Sequence, residues 1–304
     1  MMRNVQVQPA VRQRMAARAR SLPKFSFGWL VVYIIMIALV AFMALPMIYV
    51  VCTAFKPLDE LFIFPPQFFV RNPTSQNFVD LMSSLGVSTV PFLRYVLNSL
   101  VVTVSTVSLT CLVCSAGAYG MVVYAPTGSK FLFNLVVSAL MFSPHVTQIP
   151  RYMVVNGLNL VDNYLALILP SVAVAYNFFL VKQFMGAFPR ELIEAGRIDG
   201  AGELHIFFKL VMPAMKPAMA TLIVLTFVSS WNDYFSPLIY TSDQAMRTLP
   251  LALQTISGGA AAASIGRAGA VSAATMVMTI PTVLLFTVSQ RMVMETMTMS
   301  GIKG

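Results

Sequence analysis

Residues 190–217 read RELIEAGRIDGAGELHIFFKLVMPAMKP, the one long polar stretch of both charge signs in a chain that is otherwise mostly apolar. It holds four acids (Glu191, Glu194, Asp199, Glu203) and four bases (Arg190, Arg197, Lys209, Lys216). Pro189 suits the first turn of a helix, where its missing N–H costs nothing. The spacing then predicts a short amphipathic helix over 190–198, with Leu192, Ile193, Ala195 and Ile198 as apolar points. Asp199-Gly200 is a turn signal, because glycine takes positive φ without strain. A second short helix is expected from Ala201 to Val211, and Pro213 is expected to open the next apolar stretch. The chain is thus expected to leave an apolar phase, turn a sharp glycine corner in water and go back in.

What lies on either side makes that phase a bilayer. The chain is 58% hydrophobic and only 10% charged over 304 residues, with a mean hydropathy of +0.77, which excludes a pair of soluble domains. Runs free of Asp, Glu, Lys and Arg cover 25–55, 95–129, 131–150, 163–181 and 268–290. A helix needs roughly 20 apolar residues to cross the hydrocarbon, so each run is long enough or nearly so. A sixth candidate, 217–232, can start near Pro213 because Lys216 can snorkel to the interface. The expectation is an all-α, polytopic membrane protein with six spans: 28–52, 95–123, 131–152, 163–185, 213–235 and 271–291. Pro46 and Pro281 fall inside spans as possible kinks.

Orientation follows from the Lys and Arg bias. Residues 1–27 form a basic tail with Arg3, Arg12, Arg14, Arg18, Arg20 and Lys24 and no acid. Six spans place both termini and the 186–212 loop on one face, which collects 14 of the 20 bases and the whole net charge of +9. That face is expected to be cytoplasmic. The basic balance is therefore a topology signal, and no nucleic-acid partner is expected. The first apolar run exceeds a signal-peptide core and is read as a retained span. Cys111-x-x-Cys114 lies mid-run without a nearby His, so inert buried thiols are expected rather than a metal or redox pair. His205 reads as a surface residue and His145 as a span-end residue. No paired carboxylates, metal cluster or nucleophile–base set emerges, and the spans lack the ionisable residues that a self-contained secondary transporter needs.

Glu194-Ala195-Gly196, three residues, Gly200, nine residues, then Leu210-Val211-Met212-Pro213 resembles the EAA loop of binding-protein-dependent ABC permeases. That family's pattern is Glu-Ala-Ala, three residues, Gly, nine residues, Ile, one residue, Leu-Pro. The departures are Gly196, Leu210 and Met212, all small or apolar. Tyr95-x-x-Asn98-Ser99-Leu100, Ile149-Pro150, Ile198-Asp199-Gly200-Ala201, Trp231-Asn232-Asp233, Thr248-Leu249-Pro250 and the terminal Gly301-Ile302-Lys303-Gly304 narrow the resemblance to MalG-like carbohydrate permeases. It covers about residues 25–304.

The resemblance implies a type I ABC importer permease fold in residues 28–304, with the 186–212 loop carrying the coupling helix. It implies a bacterial plasma (inner) membrane subunit that pairs with a MalF-like second permease, two ATPase subunits and an extracellular or periplasmic sugar-binding protein. Glu194, Ala195, Gly196, Asp199, Gly200 and Ala201 would then meet the ATPase. ATP and Mg would bind to the ATPase partners, with no cofactor on this chain, which has no G-x-x-x-x-G-K-[ST] loop. Asn177, Trp231, Asn232 and Asp233 are candidates for the substrate pathway, with Asp233 as an interfacial cap and Trp231 as an interface anchor the competing readings. Ser257, Gly258, Gly259 and Gly266 sit in an outer Gly/Ala-rich loop expected to touch the binding protein. Ile256-Ser257-Gly258-Gly259-Ala260 only looks like an ATPase signature and is read as a coincidence.

Overall fold

The computed structural model describes residues 27–83, 90–258 and 268–301. Among them every regular element is helical and no strand occurs. The basic tail, Gly259, Gly266 and the last three residues lie outside the described part. Helix α1 (Phe27–Ala54) carries apolar side chains on all sides and keeps Pro46 within its length. Helices α2 (Gln76–Ser83), α3 (Phe92–Tyr119), α4 (Ser129–Ala139), α5 (Gln148–Gly157), α6 (Tyr164–Val172) and α7 (Ala175–Gly186) follow. Then come α8 (Arg190–Ile198), α9 (Glu203–His205), α10 (Lys216–Trp231), α11 (Phe235–Tyr240), α12 (Leu249–Gly258) and α13 (Ala268–Gly301).

Three helices, α1, α3 and α13, are long and apolar enough to cross a membrane unbroken. The other expected spans are bent or broken. Span 4 splits into α6 and α7, bent by 44°, with Pro170 inside α6, where the ring removes a hydrogen bond and crowds the preceding turn. The expected single span at 131–152 is corrected to α4, a non-helical stretch at 140–147, and α5. Ser143-Pro144 accounts for the break, since proline disfavours the helical region for the residue before it. Span 5 was expected to open at Pro213. It opens instead at Lys216, after a 79° bend that sets the stretch from Glu203 to Ala214 across the direction of α10.

Helix α3 is the hub of the bundle and packs against α6, α7 and α10, while α13 packs on α10. One face of α3 is a polar seam, with Thr103, Thr106, Thr110 and Ser115 all buried. Ser115 turns its hydroxyl back to the Cys111 carbonyl at 2.5 Å and Thr103 meets the Ser230 hydroxyl at 3.4 Å, while the buried Thr106 and Thr110 hydroxyls find no partner among the described residues. Small residues let helices approach here. Gly117 shows how close: a Cβ there would sit 3.0 Å from the Phe178 ring. Cys111 and Cys114 are free thiols on the same helix.

Two sequence motifs 150 residues apart meet near the N-terminal end of α3. The Asn98 amide donates to the carbonyls of Ala245 and Arg247, both at 2.8 Å, and accepts from the Tyr164 hydroxyl at 2.8 Å. Ser99 Oγ accepts the Leu249 N–H at 2.8 Å. Asp162 fastens the start of the same loop by accepting from the N–H groups of Ser242 at 2.6 Å and Asp243 at 2.9 Å. Between α1 and α2, the Glu60 carboxylate accepts from the N–H groups of Arg71 and Asn72, at 3.0 and 2.8 Å, and the Lys56 ammonium donates to the Gln67 carbonyl. The charges of that segment are thereby folded onto its own backbone. The Arg71 N–H is the main reason the Glu60 carboxyl is held below its ordinary pKa.

Candidate functional site at the glycine corner

Helix α8 starts directly after Pro189, whose extended backbone makes it the cap residue rather than part of the first turn. Glu191 lies in its first turn and Arg197 in its last, the arrangement that complements a helix dipole. Ile193 is its buried contact, whereas Leu192 and Ile198 stay exposed, Ile198 at 87%. The helix stops at a Schellman arrangement: the Ala201 N–H bonds to the Gly196 carbonyl and the Gly200 N–H to the Arg197 carbonyl, each at 3.0 Å. Gly200 has φ of 80°, a conformation that a side chain with Cβ rarely tolerates. The glycine corner expected from Asp199-Gly200 is therefore present.

The six residues singled out by spacing divide into two groups. Glu194, Ala195, Asp199 and Gly200 are exposed on the outer side of the corner. Gly196 and Ala201 face inward, with Gly196 against Ile206 and Leu210 and Ala201 against the inner core cluster. A groove of about 570 Å³ opens beside the corner, lined by Gly196, Asp199, Gly200, His205, Ile206 and Lys209 among others. The second short helix is not a plain α-helix. After α9 the chain widens into a π-helical turn at Ile206–Val211, runs through Met212–Ala214, and bends at Met215.

Sequence reasoning missed what holds the corner in place. Glu203 takes the Arg197 guanidinium on one carboxylate oxygen at 2.7 Å and the Tyr119 hydroxyl on the other at 2.7 Å. The Arg197 bond first and the Tyr119 bond second hold the Glu203 carboxyl below its ordinary pKa. The guanidinium also lies 5.7 Å from the centre of the Tyr124 ring, and Arg190 donates to the Val122 carbonyl at 3.2 Å. The Tyr119 ring packs edge-on to Phe207 at 5.2 Å. Opposite charges at 197 and 203 were visible in the sequence, but Tyr119 is 84 residues from Glu203 and sits in an apolar run. Nothing local linked them.

The four pathway candidates find partners within the chain. The Asn177 amide donates to Thr226 Oγ1 at 3.2 Å and joins α7 to α10. Trp231 is 1% exposed, stacks on Phe227 at 5.7 Å and donates its indole N–H to the Met278 carbonyl at 2.9 Å. It is a core residue clamping α10 to α13, so its placing among pathway residues and as an interface anchor is corrected. Asn232 bonds back to the Val228 carbonyl at 2.8 Å. Asp233 accepts the N–H groups of Phe235 and Ser236 at 2.9 and 3.0 Å, which is the cap role. Ser257 and Gly258 end α12 instead of lying in a loop, and Ser257 Oγ donates to the Leu253 carbonyl at 2.6 Å. Among the described residues no three His, Cys, Asp or Glu side chains come together as a metal site.

Residues 15–298 match the family described as "Binding-protein-dependent transport system inner membrane component". The chain belongs to this family. It is 32% identical over 275 residues to the arabinooligosaccharides transport system permease protein AraQ of Halalkalibacterium halodurans, covering 88% of this chain and 94% of that one. It is 34% identical over 213 residues to the sn-glycerol-3-phosphate transport system permease protein UgpE of Yersinia pestis, covering 69% and 74%. A solved bacterial ABC transporter involved in import of the acidic polysaccharide alginate shares the fold, with a TM-score of 0.75 at 20% identity over 88% of this chain and 99% of that one. The permease is thus an inner-membrane subunit of an ABC importer. It is a transporter component and not an enzyme; ATP is hydrolysed by partner ATPases in this family. Its family also implies a second permease and a binding protein as partners.

Proposed function

We propose that this permease forms half of the pore of a sugar or oligosaccharide importer, and that its inner corner at 190–201 is where an ATPase partner engages. The observation that carries the reading is the corner itself. Its Schellman stop at Gly200 presents Glu194, Ala195 and Asp199 outward while Gly196 and Ala201 pack inward. A short rigid helix presented in this way is a surface for another protein. ATP and Mg bind on the ATPase partners, and a MalF-like permease and an extracellular or periplasmic sugar-binding protein complete the assembly. The carbohydrate class rests on the relatives named for arabinooligosaccharides and on the alginate importer that shares the fold. UgpE, named for sn-glycerol-3-phosphate, makes a small phosphorylated polyol the second reading. Uptake of radiolabelled arabinooligosaccharides and of sn-glycerol-3-phosphate by the assembled importer separates the two.

In this reading both termini and the corner face the cytoplasm, because that places the net charge of +9 inside. On a cysteine-free background, a membrane-impermeant thiol reagent added outside should miss a cysteine at position 203 and label cysteines at 75 and 243. Labelling at 203 from outside overturns the orientation. Docking is tested by Glu194→Lys. Glu194 is exposed, so charge reversal should leave insertion intact while abolishing ATP-driven uptake. Normal uptake by that variant would remove the corner from the docking surface.

A further inference from the structure

We propose that Tyr119 and Glu203 are positioning residues of the transport cycle, whose bond fastens the corner to the C-terminal end of α3 so that force arriving at α8 moves α3 together with α10. The proposal rests on the reading that the corner engages an ATPase. It adds a second mechanical route into the membrane.

Along the chain, the corner leads back to α7 through residues 187–189 and forward to α10, and the forward route is compliant. It passes through the π-helical turn at Ile206–Val211, a local widening of the helix, and then through the 79° bend at Met215. Helix α3, in contrast, packs against α6, α7 and α10, so moving it moves most of the bundle. The joint between corner and α3 is short and charge-assisted. Arg197 of α8 and Tyr119 of α3 hold the two oxygens of one carboxylate, each at 2.7 Å, and such bonds are about twice as strong as neutral ones. The tyrosine is aimed by its surroundings: its ring is 7% exposed and wedged edge-on between Phe207 at 5.2 Å and Tyr124 at 6.1 Å. Arg190 adds a further tie to the Val122 carbonyl at the same end of α3. The adjoining α8 and α9 and the distant α3 therefore share one joint, and Glu203 is its centre.

The test uses the full importer in lipid nanodiscs, in a background without Cys52, Cys111 and Cys114. Spin labels at the exposed positions Val113 on α3 and Leu225 on α10 are each paired with a label at Phe286 on α13. Distances are measured without nucleotide and after trapping with ATP and vanadate. In the unaltered complex both distances should change. Tyr119→Phe removes one oxygen and keeps the ring; it should abolish the α3 change and leave the α10 change. Glu203→Gln removes the charge that both Tyr119 and Arg197 hold, so it should also abolish the α3 change, and adding Tyr119→Phe to it should make that loss no larger. A residue that only supported the fold would weaken both changes equally, and that outcome overturns the proposal. So does an α3 change that persists in Tyr119→Phe, or one that is missing from the unaltered complex. If Glu203→Gln fails to assemble, Tyr119→Phe decides alone, and loss of assembly in Tyr119→Phe counts against the proposal. Glu194→Lys separates the two readings. If it abolishes both changes while Tyr119→Phe has no effect, docking stands and the joint falls. If it leaves both changes intact, docking falls and the proposal falls with it.

Discussion

The two ends of α3 are fastened by different chemistry. At the N-terminal end, Asn98, Ser99 and Tyr164 bind backbone groups of 245–249 and each other through neutral hydrogen bonds, with one bond from the exposed Arg94 guanidinium to the Ala245 carbonyl beside them, and Asn98 and Ser99 are 3% and 2% exposed. At the C-terminal end the bonds centre on a carboxylate and a guanidinium whose side chains are each 40% exposed. Breaking a buried neutral bond strands a donor or acceptor without water, which is where hydrogen bonds become costly. Breaking the half-exposed Arg197–Glu203 pair returns both charged groups to water at a small net cost, and only the Tyr119 hydroxyl, on a residue 7% exposed, is left in need of a partner. The N-terminal end of α3 therefore contributes more to stability, while the joint at its C-terminal end adds little to stability and ties the corner to α3 instead.

The largest effect that exposes this difference is expected from Asn98→Leu. The variant is close in size, but it leaves the Arg247 carbonyl and the Tyr164 hydroxyl without their Asn98 partner, while the Ala245 carbonyl keeps the Arg94 guanidinium at 3.2 Å. Each stranded group costs about 1–3 kcal/mol, so the two together give a destabilisation of roughly 2–6 kcal/mol. Thermal unfolding in detergent should show it, with protease cutting first at 241–249. Glu203→Gln at the other end should move the melting temperature far less. Equal shifts from the two variants would contradict the comparison.

How much of this was legible in the sequence depends on how local the cause is. The corner was legible because Asp199-Gly200, the flanking amphipathic spacing and Pro189 all act within a few residues. The positions of the apolar helices were legible from charge-free runs, but their continuity was not. Hydropathy averages over a window and does not register that the chain leaves the helix around Pro144 and bends just after Pro170. Trp231 was misplaced because an aromatic near a span end fits both an interface and a core, and only the Met278 carbonyl opposite its indole decides. The Tyr119–Glu203 bond was out of reach altogether. Pairing across 84 residues depends on helix packing, and neither residue is unusual for its own element.

An intermediate effect is expected at Gly200, where φ is 80°. Gly200→Val forces a β-branched residue into a left-handed conformation at about 1–3 kcal/mol. Nothing lies within 4 Å of where its Cβ would be, so the strain is backbone strain and not a clash. The expected result is a misdirected α8 and loss of ATP-driven uptake, with the melting temperature lowered only modestly. Gly200→Asn, which visits the left-handed region more readily, should recover most of the activity. If Gly200→Asn proved as inactive as Gly200→Val, backbone conformation would not be the cause, and the corner would be recognised through its bare backbone instead.

The smallest effect, and the sharpest at the corner, is expected from Gly196→Ala. The related EAA pattern carries alanine here, and the structure allows it: an added Cβ would lie 3.4 Å from Ile206 Cγ1, 3.6 Å from its Cδ1 and 3.8 Å from Leu210 Cδ2. These are contacts with side chains that can shift by tenths of an ångström. Against that slight crowding stands the gain from removing a glycine at C3 of a nine-residue helix, up to about 1 kcal/mol in backbone entropy. Neutral or slightly higher stability is therefore expected, with uptake unchanged, because the inward face of α8 makes no docking surface. Reduced uptake at unchanged stability would mean that the spacing between α8 and the π-helical turn is itself tuned. The corner would then be as exacting as the N-terminal end of α3.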